Sequence, residues 1–135
     1  NMGSTIANSL IKKKLKKIGI LGLSYKGDLK VSVLSKVIPL VKSLKKKKLN
    51  VKLFDPYFSK EEIKRAVNVE TFKFPQQLLK FDCLIVTVNH QQFRISSGKL
   101  KKYLKNCKFI IDHEGAWQNY NLADKYYLTG ASGWL

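Results

Sequence analysis

Arginine is almost missing from this chain: of 26 basic residues only Arg65 and Arg94 carry a guanidinium, and the acids number just 9. The net charge of +17 is therefore a lysine charge. Clustered lysines attract polyanions at long range, but base reading and bidentate phosphate recognition belong mainly to arginine, whose planar fork lysine lacks. The lysine runs 12–17 and 45–48 fall at the ends of helix-like segments, where cations favour the negative end of the helix dipole and solvated faces tolerate them. Phe54, Phe81, Phe109, Tyr126 and Tyr127 lie in strand-like positions rather than among those runs, so no stacking platform accompanies the charge. The expectation is a solvated basic surface with non-specific anion attraction at low salt and no specific nucleic-acid partner.

Cysteine is scarce too. Cys83 and Cys107 cannot build a disulfide scaffold or a four-ligand zinc site, and their apolar surroundings predict buried thiols; no metal site is expected. Long apolar runs are absent. Stretches such as 18–23 and 84–88 are far short of the roughly 20 residues of a membrane span, and the first 15 residues lack the apolar centre of a signal peptide. A cytoplasmic protein with no membrane partner is expected. What remains is 135 residues with 44% hydrophobic and 11% aromatic side chains, enough for one cored domain and too apolar for a disordered basic tail.

Along the chain, residues 5–15 predict a short helix, with Ser4 or Thr5 at its start; the first four residues are either an expression scar or the truncated end of a longer helix. A nearly continuous apolar run, 17–24, predicts a strand buried on both faces. Ser35 caps a periodic segment reaching Lys48, with Pro39 near its first turn. Asn50–Phe54 is a strand stopped by Asp55-Pro56, and Ser59-Lys-Glu-Glu62 has capping-box spacing for a helix to about Val67. Further on come a small strand at 69–72, a helical turn at 75–80, the most apolar strand at 82–88, and a turn at 90–93. A helix at 98–105, strands at 108–112 and 126–129, and a tail at 130–133 complete the reading. Strands separated by helical segments throughout predict a three-layer α/β, Rossmann-like domain with a mostly parallel sheet.

In open parallel sheets ligands bind beyond the carboxyl ends of strands. The residues there are Ser24, Tyr25, Lys26 and Asp28, then Asp55, then Thr87, Asn89 and His90, then Asp112, His113 and Glu114. Lys26 stands between a buried strand and a helix start, where backbone N–H groups already favour a phosphate. Asp55 and Asp112 have an ordinary alternative, capping the turn that follows. Gly19-x-x-Gly22 followed by Gly27 is not the dinucleotide fingerprint, and no hydrolase elbow or metal motif occurs.

At these same positions the chain resembles the C-terminal, UDP-binding domain of the UDP-glucose/GDP-mannose dehydrogenase family, most closely its UDP-N-acetylmannosamine type. The resemblance rests on Lys17-Ile-Gly-Ile-Leu-Gly-Leu-Ser-Tyr-Lys-Gly-Asp28 with Ser35 following, Asp55-Pro56, Asp82, Thr87-x-x-His90-x-x-Phe93, and Ile110-Ile-Asp112 with Gly115 and Trp117. It implies that residues 1–15 are the end of the family's central linker helix and 16–135 its last Rossmann-like domain. It further implies an NAD-dependent UDP-sugar 6-dehydrogenase that oxidises a sugar C6 alcohol to a carboxylate through a cysteine thioester. The catalytic Cys and the NAD loop would lie in an N-terminal domain absent here, so this fragment alone would hold no catalytic residue and be inactive, and the full-length protein would be a homodimer. Tyr25 and Lys26 match the family's aromatic-Lys pair that meets the nucleotide sugar. Asp28, His90 and Asp112 join them as candidate substrate-binding residues.

Two departures accompany the match. Where the family usually has Asp-x-Arg-x-Ser this chain reads Val31-Ser-Val33-Leu-Ser35, and where many members have Asp-Gly-Arg it has Asp112-His113-Glu114. Each lost cation removes a charge-assisted contact of about 1.5–3 kcal/mol, and a carboxylate facing a diphosphate repels it. Either other lysines substitute, or the full-length protein binds cofactor and substrate weakly. A degenerate, non-catalytic family member and a Lys-rich nucleic-acid module are the alternative readings.

Overall fold

The computed structural model describes residues 2–33 and 35–129. Five strands, β1 (Lys17–Leu21), β2 (Asn50–Phe54), β3 (Cys83–Val86), β4 (Phe109–Asp112) and β5 (Tyr126–Leu128), form one sheet in the order β2-β1-β3-β4-β5, and every neighbouring pair is parallel. The helices α1 (Met2–Lys12), α2 (Val37–Lys46), α3 (Lys60–Val67) and α4 (Ser97–Tyr103) return the chain across its two faces. On one face Ile18, Ile20, Leu53 and Ile85 pack with Leu10, Leu40, Leu44 and Ile63 of the first three helices. On the other, Leu21, Leu84, Val86 and Ile110 pack with Leu78, Phe93, Leu100 and Trp117. This is the expected three-layer α/β arrangement. With both faces covered, β1 and β3 need unbroken apolar sequence, whereas the outer strand β2 alternates buried with half-buried or exposed residues.

Local codes set the helix boundaries. The Ser59 hydroxyl accepts from Glu62 N at 3.1 Å while Glu62 Oε1 accepts from Ser59 N at 2.8 Å, completing the predicted capping box of α3. Ser35 Oγ accepts from Val37 N at 3.1 Å, and α2 starts there, two residues after the expected cap. Pro39, third in α2, sits where a helix leaves its N–H groups unpaired. Other boundaries move. The first helix runs Met2–Lys12 rather than 5–15, and β1 stops at Leu21 because Gly22 adopts φ +115. The small strand expected at 69–72 reduces to a single bridge, Lys52 to Glu70. The tail expected at 130–133 lies outside the described residues. Among the described residues no helix is long and apolar enough to cross a membrane.

Candidate functional site

β2 lies on one side of β1 and β3 on the other, so the loops leaving β1 and β3 diverge and open a crevice between them. The chain leaves β1 through Gly22, where a Cβ would lie 2.6 Å from Thr87 Oγ1 and 2.7 Å from Val88 Cγ1. The Thr87 hydroxyl donates into the Leu21 and Gly22 carbonyls, at 3.0 and 2.7 Å, tying the exits of β1 and β3 together. Gly27 repeats the close approach, since its Cβ would sit 2.6 Å from the Asn89 carbonyl oxygen. Gly22→Ala combines left-handed strain with a clash against Thr87, and we expect a loss of about 1–3 kcal/mol in urea unfolding; a loss below about 0.5 kcal/mol would show that the turn yields freely.

Beneath the crevice sits Asp55, fully buried. Its Oδ2 accepts from Leu23 N (2.7 Å), Ser24 N (3.0 Å), the Ser24 hydroxyl (3.1 Å) and His90 Nε2 (3.0 Å), while Oδ1 accepts from Tyr57 N (2.9 Å). His90 Nδ1 accepts from Asp28 N at 2.9 Å, so the ring proton is on Nε2 and is donated to Asp55. Asp28, at φ +59, in turn accepts from Gln91 N at 2.8 Å. Three loops far apart in sequence are thereby locked into one frame. Burial alone would raise the Asp55 pKa, but the hydrogen bonds from His90, Tyr57 and Leu23 outweigh it and hold the carboxyl below its ordinary 3.8.

The crevice itself, about 310 Å³, has Ser24 and Thr87 near its floor. Tyr25 and Lys26 come from the β1 loop, Lys36 and Val37 from the start of α2, and His113 and Glu114 from the exit of β4. Two ammonium groups and the positive end of α2 therefore border one open space. His113 is buried, its Nδ1 3.2 Å from Thr129 Oγ1; desolvation and the Lys36 charge both lower its pKa, so the neutral ring prevails near neutrality. Glu114 Oε1 accepts from Asn89 N at 3.2 Å, and Arg94 donates to the Asn89 side-chain oxygen. The acid is thus fixed at the rim, and Arg94 is engaged beside it.

Of the expected contacts, Lys26 and half-exposed Tyr25 line the crevice. His90 and Asp112 do not. Both are 0% exposed, and their polar atoms are taken up by the turns they hold. Asp112 accepts from Gly115 N (3.0 Å), Ala116 N (3.1 Å), Trp117 N (2.8 Å) and the Tyr126 hydroxyl (2.5 Å), capping the turn after β4. Asp28 likewise serves its loop and does not line the space. Lys36 and Val37 are the lining residues that sequence reasoning missed; the signal for Lys36 was a lysine directly before an apolar-periodic helix. Both cysteines are buried as expected. Desolvation pushes Cys107 up to about 11 and Cys83 higher than its usual range, so neither thiol ionises near neutral pH.

Known proteins share this architecture. A UDP-N-acetyl-D-glucosamine 6-dehydrogenase of Salmonella typhi is 30% identical over 132 residues, covering 84% of this chain and 30% of that protein. The solved structure of the UDP-N-acetyl-mannosamine dehydrogenase of Staphylococcus aureus superposes with TM-score 0.68 at 20% identity, over 93% of this chain and 29% of its own. A UDP-D-ManNAc dehydrogenase of Pyrococcus horikoshii gives TM-score 0.69 at 18% identity, over 93% of this chain and 30% of its own. The chain thus spans about a third or less of the length of these relatives. Residues 19–119, which carry most of β1, the Asp55 frame and the crevice, match the UDP binding domain of the UDP-glucose/GDP-mannose dehydrogenase family, and the chain belongs to that family.

Proposed function

We propose that the crevice holds the diphosphate of a UDP-sugar, and that the chain is the C-terminal substrate-binding part of an NAD-dependent UDP-sugar 6-dehydrogenase. One observation carries this reading: Lys26 and Lys36, from opposite ends of the β1–α2 connection, border the same space beside the start of α2. Lys36 supplies there a cation that Val33 and Glu114 do not. Asp28, His90 and Asp112 act as positioning residues through the loops they hold. Residues 1–15 are read as the end of the central helix, continuing in the full-length cytoplasmic homodimer into an N-terminal domain with the catalytic cysteine.

The residues present do not fit NAD. The space a pyrophosphate would need at Gly22 is filled by Thr87 and Val88, and the following loop exposes Leu29, Val31 and Val33 while its Lys30 is bound to Glu62 at 2.7 Å. The cofactor's contacts are accordingly assigned to the remainder of the enzyme. That same apolar loop favours a second reading, a family member that binds nucleotide sugar without turnover. NAD reduction by the full-length protein with UDP-N-acetylmannosamine separates the two, because a non-catalytic member gives no NADH.

Calorimetric titration of the 135-residue chain tests the diphosphate reading itself. UDP is expected to bind at least about tenfold more tightly than uridine, the worth of one charge-assisted contact. Equal affinities would overturn it. Glu114→Gln, which removes a carboxylate from the rim while leaving an acceptor for Asn89 N, is expected to tighten UDP by about threefold to tenfold at low salt; weaker UDP binding would show that Glu114 serves the site rather than opposing the anion.

A further inference from the structure

A parallel sheet with helical returns has two unlike ends, one with strand C-termini and helix N-termini, the other with strand N-termini and helix C-termini. The crevice occupies the first. The second gathers the lysines. The run 12–14 closes α1, Lys16 and Lys17 open β1, the run 45–48 closes α2, and Lys80 and Lys108 stand just before β3 and β4; all are exposed. Backbone hydrogen bonds make these neighbours in space: Asn50 N donates to Lys16 O at 2.9 Å, Asp82 N to Lys17 O at 2.8 Å, and Lys108 N to Asp82 O at 2.8 Å. Lys17, Lys52 and Lys80 share a hollow there.

The acids are segregated the other way. Asp28, Asp55, Asp112 and Glu114 follow strand ends on the crevice side, and Glu61 and Glu62 open α3 there. Towards the lysine end, Asp82 has its Oδ2 accepting from Lys16 N and Lys17 N at 3.1 and 3.0 Å, Asp124 stands before β5, and Glu70, bridged to Lys52 at the sheet edge, is paired with Lys64 at 2.7 Å. Runs that look like separate solvated helix ends in the sequence thus become one continuous basic face, turned away from the crevice.

We propose that this face docks on an anionic lipid surface. Its cations are lysines, apart from Arg65 at the end of α3, and flexible ammonium stems suit phospholipid headgroups that diffuse to meet them. Base reading in a nucleic acid relies on guanidinium forks, and single-strand binding on open aromatic rings. Here Phe109 lies under the Lys13 ammonium, 4.7 Å from the ring centroid, and Tyr103 under that of Lys102 at 5.8 Å. Docking by this end leaves the crevice turned away from the lipid, so the two sites work without competing.

Sedimentation of the 135-residue chain with lipid vesicles tests the proposal. Partitioning onto vesicles with about 30% phosphatidylserine at about 0.1 M salt is expected to exceed that onto pure phosphatidylcholine by more than about tenfold, and to vanish near 0.5 M salt. Lys46→Gln with Lys47→Gln is expected to lower partitioning about 25-fold, at about fivefold per lysine, whereas the charge-matched pair Lys60→Gln and Lys99→Gln at the crevice end costs less than about threefold. If the first pair lowers the melting temperature, Lys80→Gln with Lys108→Gln replaces it. Equal binding to both vesicle types, equal losses from the two ends, or tighter binding to duplex DNA than to the acidic vesicles at about 0.15 M salt would each overturn the proposal.

Discussion

Asp55→Ala is expected to lower the unfolding free energy by about 3–5 kcal/mol in urea denaturation, a large share of the about 5–15 kcal/mol that holds a domain together. The carboxylate is fully buried and accepts from three backbone N–H groups, the Ser24 hydroxyl and His90 Nε2. Alanine leaves those donors facing a cavity too small to supply water to each of them. Asp55→Asn keeps the volume but turns an amide donor toward other donors, so it is expected to cost nearly as much. The effect carries a pH signature. The folded carboxyl lies below 3.8, so its stabilisation is complete above about pH 5 and is lost as pH falls through the folded-state value. The alanine variant lacks that contribution, so its stability falls less steeply on acidification. A loss under about 1 kcal/mol, or an acid limb of unchanged slope, would refute the frame.

Lys26→Gln combined with Lys36→Gln is expected to weaken UDP about a hundredfold, near tenfold for each ammonium in an open, partly screened crevice. Uridine should change by less than about twofold, because the substitutions remove charge and not shape. The melting temperature should hold, since Lys26 and Lys36 are exposed and donate no hydrogen bond to the frame beneath them. Loss of uridine binding in step with UDP would mean the pair shapes the base site instead. Unchanged UDP binding would remove the diphosphate from this space altogether. Because Asp55 positions Ser24 directly before Tyr25 and Lys26, the alanine variant at 55, where it stays folded, is expected to weaken UDP as well, linking the buried frame to the exposed cations.

What the linear chain determined is what short-range chemistry can encode. Unbroken apolar runs made β1 and β3 strands covered on both faces, Ser59 and Glu62 wrote the start of α3, and Asp-Pro at 55–56 stopped β2. Asp112 and Asp55 as turn caps were legible for the same reason, each bonding an N–H a few residues on. Lys26 was legible by its place after a buried strand.

Tertiary structure decided the rest, through contacts that no local pattern contains. Asp55 reaches His90 across 35 positions and Asp28 reaches it across 62, which is why His90 reads as a ligand contact in the sequence and is a buried brace in the fold. Lys36 joins Lys26 only once β1 and α2 turn back on each other around Gly22. The lysine runs become one face for a similar reason: parallel strand order sends every helix C-terminus to the same end, and a periodicity of 3.6 or 2 records which side of an element is buried but not where that element lies.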